Sequence, residues 1–158
     1  MSEGRVRIPK DKVELIKKLA DGDSEMRIFN TMADCMTFAA AYGYSKGKRV
    51  PFTESAGDPI RYRIFETGNY DAFFHLLAME AENDAHVLGN SEEMMNKRTQ
   101  IFEEYANGGL ELLQIEMHSS SDALEFILPI INTQIRRNNK QMPQADEKLG
   151  FDVSDLEI

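Results

Sequence analysis

The chain has 158 residues, 42% of them hydrophobic and 28% charged, which is ordinary globular usage and excludes a globally disordered chain. That length suits one domain with a real core. The net charge of -9 is uneven: residues 1–63 hold 12 Lys and Arg against 9 Asp and Glu, whereas residues 64–158 hold 6 against 18. Any contact with nucleic acid is therefore expected from the first third, because the acidic remainder repels phosphate. One cysteine, Cys35, excludes an internal disulfide and a cysteine-built zinc site, and fits a reducing cytoplasm. No run is long and apolar enough for a bilayer, and the opening Met-Ser-Glu-Gly-Arg-Val-Arg lacks the apolar core of a signal peptide, so no membrane association is expected.

In chain order, Arg5-Val6-Arg7-Ile8 alternates polar and apolar, as a half-buried strand does, and Pro9 suits the first position of a helix. That helix is predicted over 10–20, with Val13, Ile16 and Leu19 inward and Lys12, Lys17 and Lys18 outward. Asn30 or Thr31, the latter with Asp34 three residues on, caps a second helix from Met32 to Tyr42, ended by Gly43. A long ordered loop follows to Pro59, and its Lys46, Lys48 and Arg49 are the densest basic cluster in the chain. Ile60 to Phe65 alternates again and reads as a second strand, presenting Arg61 and Arg63 on one side.

Helices are then predicted over 70–82 and over 91–106, the latter capped by Ser91 with Glu92 and Glu93 in its first turn. Asn107 and Gly108 are read as a C-terminal cap with positive φ, and a new helix as running from Leu110 to Met117. Ser119 to Ser121 interrupt the pattern. Asp122 caps a last helix that carries Leu124, Phe126, Ile127, Ile130 and Ile131, with Pro129 expected to kink or restart it. The fold expected is mainly α with a small two-stranded β element. One domain spans residues 1–140, its helices packed around Phe38, Phe73, Leu77, Phe102, Leu113 and Ile127, and a flexible acidic tail spans 141–158.

No catalytic constellation is visible. His75, His86 and His118 lie far apart, without the spacing that presents a metal on one helical face. Cys35 has Met32, Phe38 and Ala39 within one turn, the surroundings of a structural thiol. Ser119, Ser120 and Ser121 lack the context of a hydrolase serine. Glu103 with Glu104, like Glu92 with Glu93, reads as a solvated acidic face. Gly108-Gly109 follows a helix rather than a strand, so phosphate cradling is not indicated. No cofactor or metal is expected, and the chain is not read as an enzyme. If DNA is touched, Arg5, Arg7, Lys46, Lys48, Arg49, Arg61 and Arg63 are the candidate contacts. A strand at Arg5–Ile8 followed by two helices also has the order of a ribbon-helix-helix regulator, which would dimerise through that strand and read bases with Arg5 and Arg7. Residues 21–30 make a longer connection than that motif carries.

Four blocks, Arg7-Ile8-Pro9-Lys10, Phe29 to Asp34 running into Phe38 to Gly43, Glu54 to Ile64 with Asp58-Pro59-Ile60-Arg61, and above all Ile101 to Leu113, resemble the DNA phosphorothioation-associated (Dnd system-associated) small proteins of bacteria. The resemblance implies an accessory or regulatory part in a modification and restriction cassette for anti-phage defence. It would act on protein components of that cassette, or on DNA, rather than by cutting or sulfurating DNA. The resemblance itself supplies no catalytic or binding residues to carry over.

Overall fold

The computed structural model describes residues 4–118 and 122–141. The chain is mainly α, with six α-helices and one two-stranded antiparallel ribbon among those residues. β1 (Arg5–Val6) leads through a 3-10 turn at Lys10–Lys12 into α1 (Val13–Ala20); α2 (Met32–Ser45), β2 (Ile60–Arg61), α3 (Tyr62–Thr67), α4 (Asp71–Glu82), α5 (Glu92–Met117) and α6 (Ala123–Gln141) follow. The expected acidic tail lies outside the described residues from Met142 onward, as do Ser119 to Ser121.

The spine is α5, one uninterrupted helix of 26 residues. The corner expected at Asn107-Gly108 is absent, and neither residue takes a positive φ. The physical reason is packing. A β-carbon added to Gly109 would fall inside van der Waals distance of the Ala39 carbonyl on α2, and one added to Gly108 would do the same to the Lys48 carbonyl. Gly43 supplies the matching hollow on α2, facing the Tyr105 carbonyl and the Gly109 amide. These glycines let two backbones touch, which outweighs their cost within a helix. Accordingly Gly43 does not end α2. Gly47 does, at φ 64°, with Lys48 N donating to Gly43 O at 2.8 Å and Gly47 N to Tyr44 O at 2.9 Å, the paired bonds of a Schellman turn.

Of the two candidate caps, Thr31 rather than Asn30 starts α2: Thr31 Oγ1 accepts from Asp34 N, and Asp34 Oδ2 accepts from Thr31 N. Asp34 Oδ1 also accepts from the Tyr70 hydroxyl at 2.7 Å, tying α2 to the start of α4. Ser91 caps α5 through Met94 N, and Asp122 caps α6 through Leu124 N. Helix α6 passes through Pro129 without an end.

The core is aromatic at its centre. Phe74 and Phe102 stack at 3.9 Å, and Phe65 meets both edge-on. Leu77, Leu113 and Ile127 are buried as expected, whereas Phe38 and Phe73 sit half-buried against the core. Phe65 also explains why the second strand is short. Pairing runs only through Arg5 with Arg61 and Val6 with Ile60. The chain then coils as α3, which drives Phe65 inward and turns Ile64 outward, so Tyr62 to Phe65 are helical rather than strand. Lys12 is a further correction: the tight 3-10 turn brings it inside, 4% exposed, with its ammonium on Asp11 at 2.5 Å.

Candidate functional site

The candidate surface is built where the N-terminal ribbon and the 46–59 loop lie on the middle of α5. Glu103 and Glu104 are not solvated; both are buried, Glu103 at 2% exposure. Being adjacent on a helix they point different ways, and each collects a different arginine. Arg7 grips Glu103 through Nη2 at 2.8 Å and through Nε, while the Arg7 backbone N–H donates to Glu103 Oε1 at 2.7 Å. Arg49 Nε donates to Glu104 Oε2 at 2.5 Å, and Gln100 Nε2 donates to its other oxygen at 2.9 Å.

Two paired and hydrogen-bonded carboxylates inside the protein are tolerable because each of their oxygens finds a donor. The hydrogen bond to Glu103 raises the Arg7 guanidinium above its ordinary value. Burial pushes the Glu103 carboxyl above the usual range, outweighing the opposing pull of Arg7. The Arg7 and Arg49 guanidiniums also lie over the rings of Phe52 and Tyr105, at 4.9 and 5.9 Å.

The same α5 stretch receives the loop backbone. Val50 N donates to Glu104 O at 3.0 Å, and Asn107 Nδ2 donates to Val50 O at 3.0 Å. Among the described residues, Asn107 Oδ1 is a buried acceptor without a partner. Beyond Val50 the loop is held to the N-terminal segment by Lys10 N to Glu54 O and Ala56 N to Ile8 O.

The seven candidate cations therefore fall into two groups. Arg7 and Arg49 are held by buried carboxylates, Lys48 pairs with Glu111 at 3.4 Å, and Lys46 lies 5.8 Å from the Tyr42 ring centre. Arg5, Arg61 and Arg63 are exposed and, among the described residues, face no carboxylate within ion-pair distance. Arg5 stands directly opposite Arg61 in the ribbon. Because β1 pairs within its own chain and the Arg7 N–H is taken by Glu103, the dimeric ribbon of a ribbon-helix-helix regulator is replaced by an internal one.

Elsewhere, Cys35 is fully buried and its thiol is pushed up to about 12, first by burial and then by Asp34. His86 is exposed beside Asp84, and His75 Nδ1 bonds to Asp71 O. A cleft of about 450 Å³, not foreseen from sequence, is lined by residues including Tyr62, Asp71, His75, Met95, Arg98 and Thr99. Arg98 is buried there, its Nη1 holding the carbonyls of Val87 at 2.6 Å and Gly89 at 2.8 Å, which fixes the 85–89 turn against α5. Among the described residues no group of histidines, cysteines and carboxylates is placed to hold a metal ion, and no helix is long and apolar enough to cross a membrane.

The family model for DNA sulphur modification system-associated protein 4 matches residues 5–154. The chain belongs to that family. The match covers the ribbon, the glycine-notched crossing of α2 and α5, and the Arg7–Glu103 and Arg49–Glu104 pairs alike, in agreement with the resemblance seen in Ile101 to Leu113. No curated protein and no solved structure matches the chain.

Proposed function

We propose that this member of the DNA sulphur modification system-associated family is a cytoplasmic, non-catalytic accessory component of a DNA phosphorothioation and restriction system, working by docking onto another protein of that system. The observation that carries this reading is how the surface is allotted. Four of the seven candidate cations are engaged within the molecule, as ion pairs or over a ring, while Leu76, at 66% exposure, and Met79 stand in water three residues apart on α4. Apolar side chains of that size gain by being covered, and a protein partner covers them better than a duplex does.

The test is recovery of the tagged chain from its native host. The wild type is expected to carry cassette proteins with it, and Leu76→Asp with Met79→Asp to lose them while keeping its circular dichroism. Unchanged recovery by the double variant would discard the surface.

A second reading, direct DNA contact, is favoured by one specific arrangement. Two arginines directly opposite each other in an antiparallel ribbon repel, and an anion lying across them relieves that repulsion. Neutralising Arg5, Arg61 and Arg63 would then weaken duplex binding and reduce the salt-dependence slope by about 3, if each meets one phosphate. Binding isotherms on modified and unmodified duplexes decide it.

A further inference from the structure

The last described helix carries two apolar faces, and the fold uses one. Phe126 and Ile127 are buried against the body of the protein and Ile130 packs beside them. At about 100° per residue, Leu124, Leu128, Ile131 and Ile135 fall on a different side of α6. These four are between 38% and 52% exposed. Their spacing of four, three and four residues is the seam of a helix that packs on another helix.

We infer that this seam joins two copies of the chain, with their α6 helices antiparallel. The spacing reads the same in both directions. An antiparallel partner therefore sets Leu124 against the second copy's Ile135 and Leu128 against its Ile131, so all four positions meet apolar counterparts along about 17 Å of helix. Charge selects the direction. Asp122 and Glu125 stand at the start of α6, and Arg136, Arg137 and Lys140 stand towards its end, all exposed. Antiparallel packing lays each acidic start beside a basic end, with Glu125 in reach of the second copy's Arg136, and opposes the helix dipoles. Parallel packing sets like against like. Asn132 and Asn139, which are neutral, add no repulsion beside the seam.

Sedimentation equilibrium of the full chain tests this. One helix pair is smaller than a standard interface, so a reversible monomer–dimer equilibrium with a dissociation constant of roughly micromolar order is expected. Leu128→Asp should give a monomer with unchanged helicity, whose melting temperature no longer rises with protein concentration as that of the wild type does. Glu125→Arg and Arg136→Glu should each weaken association several-fold, and the two together should restore it. A chain monomeric at several hundred micromolar overturns the inference, including the case in which residues 142–158 cover the seam from within. So does a dimer that survives Leu128→Asp, or one that Glu125→Arg alone strengthens, which is the parallel signature.

Discussion

The middle of α5 and the outer face of α6 break the usual rule of polar outside and apolar inside in opposite directions. On α5, Glu103, Glu104 and Asn107 are interior. On α6, leucines and isoleucines remain in water. The difference lies in what reaches each helix. The ribbon and the 46–59 loop bring Arg7, Arg49 and the Val50 backbone to α5, so its polar groups are partnered from within the chain. For the α6 seam, none of the described chain plays that part.

If that contrast is sound, the largest effect belongs to the glycine notch. Gly109→Ala forces a β-carbon into the Ala39 carbonyl and must spread α2 from α5; a loss of about 3 kcal/mol is expected from urea unfolding. Next is Glu103→Ala, which leaves Arg7 without its bidentate partner. About 2 kcal/mol is expected, below the full cost for a buried pair because Arg7 keeps some water contact.

The Glu103 carboxyl also gives a sign to the acid side. Its raised folded-state value means that its contribution is present at low pH and is lost as pH rises through that value. Glu103→Gln should remove this component from a plot of stability against pH.

Cys35 gives the corresponding alkaline test. Its thiol lies at about 12 in the folded protein against an ordinary 9.0, so its stabilising contribution is intact below pH 9.0 and declines as pH climbs towards 12. The slope is at most about 1.4 kcal/mol per pH unit, and Cys35→Ala should flatten it. Thiol reagents should label the native protein only as fast as it opens. The smallest effect is Leu128→Asp on α6, expected to shift the stability of the isolated protomer by less than about 0.5 kcal/mol because the side chain is already in water.

Local signals in the sequence were reliable where the determinant is itself local. The caps at Thr31 with Asp34, at Ser91 and at Asp122 are short-range hydrogen bonds, and they form as read. What escaped sequence reading depends on distant partners. Glu103 and Glu104 look solvated until Arg7 and Arg49, 96 and 55 residues away in sequence, are brought to them. Gly108 and Gly109 look like a helix stop because nothing nearby says that another backbone will lie against them. The alternation of Ile60 to Phe65 fits a strand, but the aromatic cluster around Phe102 claims Phe65 and sets helical geometry instead. Arg5, Arg61 and Arg63 were legible as exposed cations, whereas the internal roles of Arg7, Lys48 and Arg49 were not.

The Val50 amide, donating to a carbonyl halfway along α5, makes the 46–59 segment a clasp. Before α2 can peel away from α5, this clasp has to be lifted, together with the Asn107 amide that holds its other side. An irregular stretch of chain thus guards the glycine-lined crossing of α2 and α5. In deuterium exchange the Val50 amide is expected to keep pace with the interior of α5 and not with its neighbours in the loop.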